Sequence, residues 1–208
     1  MTSSVVADAF ALEKEKPATR DRYGRHLWGQ SCLLARRLAE AGVSVITIDA
    51  RSPVPSKPIS FSWHDHANPA TGWHLEGAMR FRVPFMDQGL SALIEDIDDR
   101  GLDRKVLVVA VGEFGRTPRL ASPQGVLGRD HWPSAQSALV SGGGLRMGQV
   151  IGATTSKAEY PAERPLSPQD LLATIYRHLG IDTNTTFPDL SGRPRYLLEK
   201  PELVQELV

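Results

Sequence analysis

The chain has 208 residues, 41% of them hydrophobic and 23% charged, which fits one globular domain and excludes a disordered chain. Its 24 basic residues balance 24 acidic ones, so no net field argues for nucleic acid or an anionic membrane surface as a partner. No apolar run approaches the ~18 residues of a membrane span, and Cys32, the single cysteine, rules out an intrachain disulfide. Residues 1–20 read as a polar lead-in without the basic-then-apolar order of a secretory signal, as though the chain began mid-protein. Residues 21–208 read as one α/β domain.

From Asp21 to Ala41 the spacing predicts a helix with Tyr23, Leu27, Leu34, Leu38 and Ala41 on one face and Gly42 as its stop. Residues 43–49 (VSVITID) predict a buried strand, followed by a loop over residues 50–72 rich in Pro, His and Asn. A second helix is expected over residues 73–100, kinked or broken at Pro84 and ended by Gly101. Residues 105–111 (KVLVVAV) predict an interior strand. Strand, helix, strand makes a βαβ unit with parallel strands and a right-handed crossover. Short strands at 137–140 and 149–153 flank a Gly142–Gly144 turn. Ser167-Pro168-Gln169-Asp170 opens a helix that runs to Leu179 and stops at Gly180, because a Ser cap, an early Pro and an acid three residues on are start signals. The tail from Thr183 is expected to wrap the domain and end in a short helix.

In open parallel sheets, ligands sit beyond the carboxyl ends of the strands. There the first strand delivers Asp49 and then Trp63-His64-Asp65-His66-Ala67-Asn68; the second delivers Gly112-Glu113-Phe114-Gly115-Arg116-Thr117-Pro118 and Gly128-Arg129-Asp130-His131-Trp132-Pro133. If the strands are neighbours, these segments converge on one rim. His64-Asp65-His66 is either a solvated turn or two imidazoles with a carboxylate that suit a divalent ion. Glu113 is either a structural carboxylate paired with Arg116 or a ligand or base at a strand tip. Asp130-His131 is either a turn or a carboxylate–imidazole unit for metal or acid–base work. Arg116 and Arg129 either hold loops through carboxylates or clamp a tetrahedral oxyanion. No nucleotide-cradling glycine motif and no nucleophile elbow is present.

Those two glycine-led motifs resemble the characteristic motifs of a bacterial sulfatase-like family catalogued as a domain of unknown function, number 1501, within the alkaline-phosphatase superfamily. The resemblance extends through Leu33–Leu38, Glu40–Val43, Ser141–Gly144, Gly148–Gly152, Asp170–Ile175, Leu179–Ile181 and Gly192–Pro194, and so covers residues 23–207. It implies an α/β fold with a mixed, mainly parallel sheet and helices on both faces, of which this chain is the C-terminal half. It also implies a metal-dependent hydrolase of anionic esters, sulfate or phosphate in class. Carried over, His66, Glu113, Asp130 and His131 fall at metal-ligand positions, with His64 and Asp65 as metal candidates beside them; Arg116 and Arg129 are the candidates for binding the oxyanion.

The chain departs from that pattern. His64 stands where the family usually has Asp, and Phe114 stands where superfamily enzymes often place a His ligand. One divalent ion at most is therefore expected, Zn, Mn or Ca. No nucleophile is identified: Cys32-Leu33-Leu34-Ala35-Arg36 lacks the Pro of a sulfatase motif and lies within a helix, where Cys32 reads as a small buried residue. The expectation is a hydrolase domain inactive by itself, the alternative a non-catalytic scaffold. Exposed sheet surface is expected to favour self-association. The compartment stays open between cytoplasm and export.

Overall fold

The computed structural model of the protein describes residues 4–50, 63, 66 and 74–208. Two compact units emerge: residues 1–102 with 116–131, and residues 103–115 with 132–208.

The first unit is helical. α1 (Ser4–Ala9) and a 310 turn (Leu12–Lys14) lead into α2 (Pro17–Tyr23), α3 (Leu27–Glu40) and α4 (Leu75–Asp99). The helix expected from Asp21 to Ala41 is thus two helices. Gly24 at φ 90° ends α2, and His26 caps α3 by accepting the Gly29 N–H at Nδ1, 3.2 Å away. That break resets the helical phase. The buried face of α3 runs through Trp28, Gly29, Cys32, Leu33 and Arg36, while Leu27 is 47% exposed. α4 continues through Pro84, which forfeits only the bond its missing N–H would make to the carbonyl one turn back. Its buried residues, Ala78, Arg82, Gly89, Ala92, Leu93, Asp96 and Ile97, recur at helical spacing. The two helices approach closely at glycine: a Cβ on Gly89 would lie 3.2 Å from the Gly29 Cα.

The second unit contains β1 (Leu107–Val111), β4 (Ala138–Gly142), β5 (Ala153–Thr154), β6 (Pro161–Glu163), α5 (Pro168–His178), β7 (Thr186–Pro188) and β8 (Pro194–Tyr196). β1 pairs antiparallel with β4, Val109 opposite Val140. β5–β6 and β7–β8 are likewise antiparallel pairs. Where the chain passes between the units, β2 (Gly115–Arg116) pairs with β3 (His131–Trp132). The start signals of α5 form a complete capping box: Ser167 and Asp170 bond each other's backbone, and Gly180 follows at φ 73°. The chain after α5 docks back on it, with the Glu202 N–H donating to Asp170 Oδ1 at 2.7 Å and the Val204 N–H to Thr174 Oγ1 at 3.3 Å. It ends in turns, without the expected terminal helix.

The mainly parallel, alkaline-phosphatase-like sheet is not what these residues form. Every sheet among the described residues has two short strands, and none extends into a parallel sheet. Among the described residues, 43–49 join no ladder; their side chains are exposed or half-buried and none is buried, Val45 reaching 70% exposure. β1 takes its partner from β4 later in the chain, and no βαβ crossover is present among the described residues. An apolar run reports burial tendency, whereas a parallel sheet needs hydrogen bonds between distant runs, which periodicity does not encode.

Candidate functional site

Within the first unit, the motif Gly128–Pro133 contributes Asp130 and His131 to a cluster with His66. The His66 Nδ1 lies 2.7 Å from Asp130 Oδ1, and its Nε2 lies 3.0 Å from His131 Nε2. The two imidazole rings are 4.6 Å apart between centroids, tilted by 52°. A carboxylate accepts, so Nδ1 of His66 carries the proton; this tautomer follows from the network. Neutral His66 then accepts at Nε2 from His131, and protonated His66 donates there instead.

The surrounding backbone is pinned from one dipeptide. The Thr117 N–H donates to the Asp130 carbonyl at 2.9 Å, and the Asp130 N–H donates to Thr117 Oγ1 at 3.1 Å. Arg116 donates through Nη1 to the Arg129 carbonyl at 3.4 Å and through Nη2 to the Trp63 carbonyl. Trp63 is fixed in turn by its Nε1 bond to the Ala50 carbonyl at 2.8 Å and by stacking on Trp28, centroids 5.5 Å apart and planes within 12°. The guanidinium carbon of buried Arg82 stands 5.0 Å from the Trp63 ring centroid, within cation–π range.

Of the residues singled out in the sequence, the structure brings His66, Asp130 and His131 together, with Arg116 and Arg129 bonded beside them. The convergence of strands 43–49 and 105–111 on one rim falls with the parallel sheet. Glu113 is exposed at the end of β1, in the other unit. His64 and Asp65 lie outside the described residues. Cys32 is buried in α3, and burial pushes its thiol up to about 11, far from a thiolate nucleophile. Sequence reasoning missed Thr117, Trp63 as an anchor, and the buried Arg82. A tryptophan three residues before a candidate histidine was the one signal for the anchor.

The resemblance implies a divalent ion at these donors. A protein zinc site takes three or four ligands aimed at one point. Here Asp130 sits behind His66 on its Nδ1 side, which leaves two imidazole nitrogens facing each other. Among the described residues no group of three or more His, Cys, Asp or Glu side chains forms a metal-holding set. Among the described residues these donors do not fit a metal. No helix among the described residues is long and apolar enough to cross a membrane.

A family model described as "Protein of unknown function (DUF1501)" matches residues 1–208. No curated protein and no solved structure matches the chain.

Proposed function

We propose, for a chain that belongs to the DUF1501 family, that the His66–Asp130–His131 cluster is the acid–base part of a hydrolase-type site for an anionic ester, sulfate or phosphate in class. One observation carries this reading: an imidazole held by a carboxylate at 2.7 Å presents its other nitrogen to a second imidazole at 3.0 Å. A carboxylate behind a histidine fixes its tautomer and aims its other ring nitrogen, which is what a general base needs when it takes a proton. Arg129, next in sequence to Asp130, supplies the cationic charge for the ester's oxyanion. No Ser, Thr or Cys stands in a recognisable nucleophile motif, so the domain binds the ester and moves protons without a covalent step of its own. The kinship to sulfatase-like proteins, with this sequence as their C-terminal half, belongs to the same proposal. A nucleophile motif encoded upstream in the same reading frame would support it. Self-association through apolar strands such as β1 and β4, where Val111 and Leu139 are 53% and 44% exposed, is proposed alongside it.

Titration with phenyl phosphate and phenyl sulfate, followed through the imidazole nitrogens by NMR, tests the reading. Saturable shifts of His66 and His131 that vanish in Arg129→Ala support it. Imidazoles unmoved by either ester would leave the non-catalytic scaffold as the better account.

A further inference from the structure

We propose that Arg116 is a positioning residue whose guanidinium staples the Trp63 segment to the Arg129 segment and thereby sets His66 against Asp130 and His131. The inference concerns the cluster assigned above, but its test needs no substrate, so it stands or falls apart from the hydrolase reading.

His66 and Asp130 are 64 residues apart in sequence, and a catalytic-type contact tolerates only about 0.5 Å of misplacement. Something must fasten the two segments. On one side Trp63, three residues before His66, is anchored between helices by the Trp28 stack and the Arg82 guanidinium. On the other side Thr117 holds Asp130 by two backbone bonds. Arg116, the residue before Thr117, reaches both: Nη1 to the Arg129 carbonyl and Nη2 to the Trp63 carbonyl. The planar guanidinium holds its two terminal nitrogens in a fixed relation, which suits it to bridging two carbonyls as well as to gripping an anion. Here the two terminal nitrogens each reach a carbonyl, so an oxyanion would have to displace bonds that hold the cluster together. Lysine keeps the charge but has no fork, which separates bridging from simple attraction.

The test uses the whole chain and long-range proton–nitrogen correlation of its imidazoles. His66 bonded to Asp130 gives a protected Nδ1–H resonance, assigned by its loss in Asp130→Asn. Arg116→Ala and Arg116→Lys are both expected to lose that resonance, with His66 reverting to a mixture of tautomers. The amide spectrum of α2, in the same unit as the cluster, stays unchanged and reports that this unit is folded. Survival of the Nδ1–H signal in either variant overturns the proposal. In a second arm inorganic phosphate is titrated into the unmodified protein. The Arg116 side-chain signal is expected to stay fixed, and a saturable shift there would make Arg116 an anion ligand and overturn the staple.

Discussion

Arg36 Nε lies 2.9 Å from Asp96 Oδ2, and the arginine is only 2% exposed. Glu15 and Glu40 close on the same guanidinium at 2.8 and 2.5 Å. Asp96 also accepts from Tyr23 Oη at 2.9 Å and from Arg100 Nε at 2.8 Å. α2, α3 and α4 are therefore tied by a buried charged network. Removing one partner strands a buried charge, so Asp96→Ala should cost roughly 3–5 kcal/mol. Glu95→Ala, which removes an exposed pair with Arg22, should cost about 1 kcal/mol or less. Urea unfolding of both variants checks the contrast, and equal costs would mean the network contributes no more than a surface pair.

Acid should undo the first unit in two stages. At His26, burial pushes the imidazole below its ordinary value, and Gln88 opposes this only in part. A group depressed in the folded state binds its proton more readily when unfolded, so stability falls as pH drops below about 6.5. Protonation would also remove the Nδ1 acceptor that caps α3. At Asp96, burial alone would raise the carboxyl, but hydrogen bonds from Arg100 and Tyr23 and the charge of Arg36 outweigh it and hold it below the usual range. Glu15 is lowered in the same way by Arg37 and Arg36. Their contribution is present above the unfolded carboxylate values near 4 and is lost as pH falls through the lower folded ones. Denaturation midpoints from pH 8 to pH 3 should show both steps, and His26→Asn should remove the upper one. An unchanged profile in that variant would show that His26 does not set the upper step.

Glycine at the α3–α4 approach gives a graded pair. A Cβ on Gly29 would fall 1.9 Å from the Tyr23 carbonyl oxygen, a backbone atom that cannot step aside. The 3.2 Å approach of Gly89 asks its neighbour for only a few tenths of an ångström. Overpacking there costs about 1–3 kcal/mol, against which alanine returns about 1 kcal/mol of helix propensity. Gly89→Ala should thus be mild, and Gly29→Ala should cost roughly 3 kcal/mol or more. Thermal melts rank them, and the reverse order would show that the α3–α4 approach at Gly89 is tighter than the approach of Gly29 to the Tyr23 carbonyl.

Asp170 joins the start of α5 to the chain's last residues. Its carboxylate accepts from the Ser167 N–H at 2.6 Å and the Glu202 N–H at 2.7 Å. Asp170→Ala leaves a donor unpaired at roughly 1–3 kcal/mol and weakens a cap worth about 1 kcal/mol. Amide exchange should quicken at Val204 and Leu207, buried in the native protein, before it does at Val109. Uniform exchange across the unit would show that the tail is held by something else.

How much of this was legible in the sequence depends on how local the cause is. The α5 start was readable because Ser167, Pro168 and Asp170 act within one turn. α4 was readable because 25 residues keep one period. The break at Gly24 was hidden because Tyr23 and Leu27 suit one helical face in sequence, and only the backbone shows that two helices carry them. The parallel sheet was inferred from two apolar runs and a resemblance, and residues 43–49 form no strand among the described residues. At the site, side-chain type flagged His66, Asp130 and His131, but the fastening depends on backbone carbonyls of Trp63 and Arg129. Carbonyls carry no signature in a sequence. Buried Arg36 and Arg82 were missed for a related reason, since arginine is normally a surface residue and burial follows from partners far along the chain.

Among the described residues, two imidazole nitrogens with a carboxylate behind one of them fall short of the three or four ligands that hold zinc. Protein purified without chelator should therefore carry about one equivalent of divalent ion at most, readily lost on gel filtration. The chain should also be silent towards aryl sulfate and aryl phosphate esters, and added zinc, manganese or calcium should not rescue it. An ester needs an attacking group in line with its leaving oxygen. Cys32 is buried in α3 with its thiol pushed up to about 11, and no other nucleophile motif stands in the sequence. Elemental analysis and a hydrolysis assay with His131→Ala as control decide the matter. Two tightly held equivalents of zinc, or turnover that needs metal and disappears in His131→Ala, would show a complete metal-dependent site and overturn the account of an acid–base cluster without a nucleophile.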